Sequence, residues 1–191
     1  MTTNHIRMPP LARDAMTDAQ RAAADELIAG PRKGVKGPFI AQMRSPDLMA
    51  RLQKVGEYLR FGSQVPPRLS EFATLIVSRD WTQQFEWFVH VPLALKAGVS
   101  QDTIDALCDG RRPAAMAADE AVVYDFVAEL TVRKGVCDAS YDACAGVLGE
   151  QGVVDLVGIV GYFTLIAMVL NVAHIPEEPN PAVLPVKPFP G

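Results

Sequence analysis

Paired cysteines are missing from this chain. Its three, Cys108, Cys137 and Cys144, are odd in number and form no CxxC motif, which argues against a disulfide framework and for a reducing, cytoplasmic setting. Aromatic residues make up only 7%, so aliphatic side chains must fill the core. An excess of positive charge is also absent: 18 Lys plus Arg stand against 22 Asp plus Glu, a formal charge of -4. Without a basic cluster to neutralise phosphates, nucleic acid is not an expected partner. HExxH, GxSxG and phosphate-binding glycine loops do not occur, which removes the usual sequence signals of zinc proteases, serine hydrolases and nucleotide binders. The N-terminal MTTNHIRMPPLARDAM lacks the apolar core and cleavage site of a signal peptide and reads as the mature start.

What is present is aliphatic bulk. The 191 residues are 49% hydrophobic and 21% charged, with a mean hydropathy of +0.12. That length favours one domain over residues 1–191, with an N-terminal extension (1–44) and a proline-rich tail (176–191). The tail is expected to be extended and strap-like. Leu156 to Val172, LVGIVGYFTLIAMVLNV, runs 17 residues without a charge, at the lower limit of a membrane span. No Lys or Arg anchors either end, and no second comparable segment exists. A buried core or subunit-interface helix is therefore expected, and no membrane partner.

Helix signals dominate, and alternating strand patterns are nearly absent. Thr17 or Asp18 can cap a helix that Gly30 and Pro31 end, and PRKGVKGPF follows as a loop. Ser45 and Pro46 open a helix to about Phe61, with Leu48, Leu52, Val55 and Leu59 expected on its core face. A single long helix is expected from near Leu69 to Ala97, closed by Gly98 and kinked by Pro92 near Phe88 to Val91. Shorter helices follow over QDTIDALCDG, about Glu120 to Lys134 and about Asp138 to Leu148, before the apolar run. A shift of 84 residues lays Glu71-Phe72 over Asp155-Leu156, Leu75-Ile76 over Ile159-Val160 and His90 over His174. This echo fits a duplicated helical unit or chance likeness between two aliphatic helices.

The chemical signal lies in SRDWTQQFEWFVHVPLALKAG, Ser78 to Gly98. Spacings of four, three and four put Arg79, Gln83, Glu86 and His90 on one stripe of a continuous helix. Glu86 and His90, one turn apart, can form a proton-passing pair, the carboxylate raising the imidazole pKa. Arg79 would add a fixed cation suited to an anionic substrate. The same four residues would equally form a satisfied network at a helix contact. With His5 and His174 as the other histidines, no metal site is expected, and the cysteines read as packing residues.

The stretch FEWFVHVPLALKAGVS, Phe85 to Ser100, resembles the carboxymuconolactone decarboxylase family, within the wider alkyl hydroperoxidase D-like superfamily. It carries an aromatic-Glu-Trp-x-x-His pattern followed by Ala and Gly-x-Ser. GPFIAQMRSPDL, Gly37 to Leu48, and GIVGYFTLIAMVLNV are similar to the longer members, so the likeness spans most of Gly37 to Pro185. It implies an all-α helical bundle, a trimer or hexamer, and a cofactor-free decarboxylase-like reaction on a small anionic unsaturated lactone or keto acid. Where the hydroperoxidase branch has its CxxC pair, this chain has Gln83 and Glu86, which disfavours thiol peroxidase chemistry. On this resemblance His90 is the expected general acid/base, Glu86 its orienting partner and Arg79 the anion-binding cation. Gln83, Trp81 and Trp87 are expected substrate contacts. Isomerisation, lactone opening, β-elimination or a non-catalytic helical scaffold remain the alternatives.

Overall fold

The computed structural model describes residues 6–30, 32–175 and 184. Among these residues the chain is all-α, a bundle of helices with no strand. The expected strap falls outside them except at Leu184, which is buried in the main core and clamped by two hydrogen bonds to the Gln84 side-chain amide, at 2.8 and 2.9 Å.

Local signals set most helix starts. In α1 (Asp18–Ala29), Thr17 and Gln20 form a reciprocal capping box. Helices α2 (Pro38–Gln42), α3 (Pro46–Phe61) and α4 (Pro67–Asp80) each begin with a proline in the first turn, where its missing N–H is no loss. Helix α5 (Gln84–Ala97) ends at Gly98 with φ 104°, and α6 (Gln101–Cys108) starts on the Ser100 side chain. Then come α7 (Ala118–Arg133) and α8 (Asp138–Ala173), the latter bent at Gly149 (φ 71°, ψ 168°) so that its two halves join directly. Helix α4 is the centre, packing against α5, α7 and α8. Its buried run from Phe72 to Ser78 leaves almost no face to solvent.

Three expectations change. The long helix is two: α4 stops at Asp80 and α5 starts at Gln84, because Thr82 takes a left-handed φ of 48° and Gln83 caps the Phe85 amide with its own side chain. Helix α5 instead runs unbroken through Pro92. On α3 the inward face is Met49, Gln53, Gly56 and Leu59, while Leu48 and Val55 are about half exposed. Gly56 explains the rotation: a Cβ there would lie 2.3 Å from the Tyr162 hydroxyl, so the bare glycine faces α8 and lets it approach.

By length and composition α8 could cross a membrane, yet 56% of its most apolar window is buried within the protein. Leu156, Ile159, Phe163, Ile166 and Leu170 fill the core, whereas Val154, Val157, Met168 and Val172 are exposed. The duplicated positions differ in setting: His90 lies inside α5, but His174 is the left-handed end of α8.

Candidate active site

Antiparallel packing of α4 on α5 brings Glu71 to His90. The imidazole Nδ1 lies 2.6 Å from Glu71 Oε2, and its Nε2 lies 3.4 Å from Glu86 Oε2. His90 and Glu86 are both buried, and the edge of Phe163 closes on the imidazole at a centroid distance of 4.9 Å. Burial alone would pull the His90 pKa down. The two carboxylates outweigh it and raise the pKa from 6.5 to about 9. Around neutral pH His90 is therefore an imidazolium, with one N–H held by Glu71 and the other directed toward Glu86.

Glu86 and His90 form part of the wall of a cavity of about 180 Å³. The other charged or hydroxyl-bearing groups on its wall are Arg32, Lys36, Arg60 and Tyr162, and Phe85, Phe163 and Ile166 supply apolar surface. The wall thus combines a proton donor between carboxylates with three cations, a set of groups suited to an acid-bearing small molecule.

Of the six expected site residues, only Glu86 and His90 reach this cavity. Arg79 is on the far side of the helix break, donating from Nε to the Cys108 carbonyl at the end of α6 (2.7 Å). The broken stripe is the reason: Arg79 belongs to α4 and Glu86 to α5, so helical spacing no longer relates them. Gln83 is the cap of α5 and donates to Asn171 Oδ1 at 2.8 Å. Trp87 is a core residue, and Trp81 packs partly buried against the same core. Glu71, Arg32, Lys36, Arg60 and Tyr162 escaped the sequence reading. Glu71 had one signal, its place in the 84-residue echo, but nothing there tied it to His90.

Residues 46–129 match the model of the carboxymuconolactone decarboxylase family. They form a domain of that family. The match contains Glu71, Glu86 and His90, whereas Arg32, Lys36 and Tyr162 lie outside it. The family domain supports a carboxymuconolactone decarboxylase-like or related function. No curated protein matches the chain. Among the described residues, no group of three or more His, Cys, Asp or Glu side chains is arranged to hold a metal ion.

Proposed function

We propose that the protein is a decarboxylase-like enzyme that uses His90 and Glu86 for acid-base chemistry on a small anionic unsaturated lactone or keto acid. The observation that carries this reading is a buried imidazole, held between two carboxylates, at the wall of a cavity that also carries Arg32, Lys36 and Arg60. A carboxylate conjugated to a carbonyl leaves as CO₂, and the electron pair of the broken C–C bond moves into the carbonyl system as a dienolate. His90 gives its Nε2 proton to the dienolate carbon and regains one from solvent. Glu71 holds Nδ1 and fixes the ring. Glu86, on the cavity side, stabilises the imidazolium and can relay the returning proton. Cations of the cavity wall stabilise the enolate oxygen. Arg79, bonded to the end of α6, is left out of these roles.

The test is a product assay by mass spectrometry over unsaturated lactone acids and keto acids. Loss of the mass of one CO₂, independent of added metal or thiol, is the expected result. A product of unchanged mass would identify isomerisation, a gain of water lactone opening, and a loss of a neutral group other than CO₂ elimination. Absence of turnover together with binding of these acids would identify a binding protein.

In the same reading the protein is cytoplasmic, which three free thiols support, and a homo-oligomer. The exposed Val154, Val157, Met168 and Val172 of α8 support self-association through that face. Equilibrium sedimentation as a stable monomer would overturn the oligomer.

A further inference from the structure

Most arginines of this chain that touch a carboxylate do so at close range. Arg68, for example, bonds Asp119 at 2.7 Å and Glu120 at 2.5 Å. Arg32 is different. It stands half-buried in the turn between α1 and α2 with its guanidinium carbon 5.2 Å from the centroid of the Phe39 ring, and it forms no ion pair among the described residues. The Tyr162 hydroxyl lies beside it, close enough for each group to shift the other's titration. Both line the cavity that holds Glu86 and His90.

Half-burying a guanidinium with no carboxylate in ion-pair contact leaves its hydration loss only partly offset. Burial lowers the Arg32 pKa, and the like charge of Arg60 adds to this against the weaker opposing pull of Tyr162, Glu86 and Glu57. The Phe39 ring, 5.2 Å from the guanidinium carbon, gives that carbon an apolar neighbour, and a guanidinium that lines a cavity can offer two N–H groups to a planar, two-oxygen partner. Burial raises Tyr162 above its ordinary 10, so the phenol keeps its proton and can donate to the same partner. Room for that phenol depends on Gly56, whose missing Cβ would stand 2.3 Å from it.

We propose that Arg32, together with the Tyr162 hydroxyl, is the carboxylate receptor of this cavity, and that the α1–α2 turn thereby sets which acids the site accepts. The inference rests on reading the cavity as the substrate site. A carboxylate gripped by a guanidinium is stabilised as an anion, so the one bound at Arg32 serves recognition and the bonds that change lie toward His90. The residues for proton transfer then come from the family domain, and the recognition residues Arg32 and Tyr162 from segments flanking it.

Benzoate and its neutral counterpart benzamide test the receptor without any reaction. Calorimetric titration of the full-length protein should show benzoate binding about tenfold or more tighter than benzamide. In Arg32→Gln that preference should vanish while the unliganded Tm stays within about a degree of wild type or rises, because an unpaired half-buried charge has been removed. Tyr162→Phe should weaken benzoate severalfold, and Arg60→Gln should weaken it less than Arg32→Gln. Equal affinity for benzoate and benzamide, no benzoate binding by wild type, or unchanged benzoate affinity in Arg32→Gln would each overturn the proposal. Failure of the acid-base reading looks different: no acid is turned over, yet benzoate still binds in an Arg32-dependent way.

Discussion

Arg79 and Gln83 stand at one end of a polar stretch, and Glu86 and His90 at the other. Both pairs are four residues apart and partly or fully buried, yet their surroundings differ. Arg79 and Gln83 flank a helix break and hold it: one bonds the last carbonyl of α6, the other caps α5 and reaches Asn171. Glu86 and His90 lie within an unbroken helix beside a cavity, and the polar partners of His90 are both carboxylates. Polar groups bonded to backbone ends contribute to the fold. A cation held between carboxylates at a cavity wall can give up a proton.

Removing the imidazole should separate the two ends most sharply. His90→Ala is expected to lower turnover by about 10² to 10⁴, measured by single-turnover product formation with helicity checked by circular dichroism. Wild-type turnover in the folded variant would remove His90 from the chemistry.

The next effect concerns Glu71. In Glu71→Gln the 2.6 Å partner of the imidazolium keeps an acceptor oxygen but loses its charge, and the His90 titration, followed by NMR of the ring, should move down from about 9 toward the ordinary 6.5. Stability should follow with a definite sign. Because folding raises the His90 pKa, its contribution is fully present below about 6.5 and fades as the pH climbs through about 9. Wild type should therefore lose stability across that alkaline window, by on the order of 3 kcal/mol at most. Glu71→Gln should flatten this slope, and denaturant titrations at pH 6 and pH 9.5 measure it. A slope equal in both proteins would show that Glu71 does not set the His90 charge.

The Glu86–His90 pair was legible because both residues lie on one helix, where a separation of four residues is a contact. Glu71 was not, since its meeting with His90 depends on α4 folding back against α5, and no local period records that. Arg32 and Tyr162 lie still farther apart in sequence and meet only through packing of α2, α3 and α8. Helix starts at Thr17, Pro46 and Ser100 could be read from caps and prolines. The break at Thr82 could not, because a β-branched residue is a poor marker of left-handed backbone. On α3, a count of apolar positions favoured Leu48 and Val55 and passed over Gly56, whose small size decides the packing.

At the structural end of the comparison the effects should be smaller and of another kind. Arg79→Met removes the bond to the Cys108 carbonyl and takes the guanidinium away from Gly110, where even a Cβ would lie only 2.9 Å from it. A loss of about 1.5 kcal/mol in denaturant unfolding is expected, with kcat within about threefold of wild type, since no atom of Arg79 reaches the cavity. A hundredfold fall in kcat at unchanged stability would restore Arg79 to the site and break the comparison.

Gln83→Ala gives the smallest effect and the finest test. Its side chain accepts from the Phe85 amide at 2.7 Å and donates to Asn171 at 2.8 Å, so α5 loses its cap and a tie to α8. A cap of this kind is worth about 1 kcal/mol. Because α5 also carries Glu86 and His90, fraying of its first turn would move Glu86 before His90, which lies a turn deeper. The expected signature is a modest fall in stability, with the His90 titration still near 9 through its Glu71 bond. If the titration instead fell as far as in Glu71→Gln, the cap at Gln83 and the imidazolium at His90 would be one coupled unit, and the two ends of the stretch would not be separable.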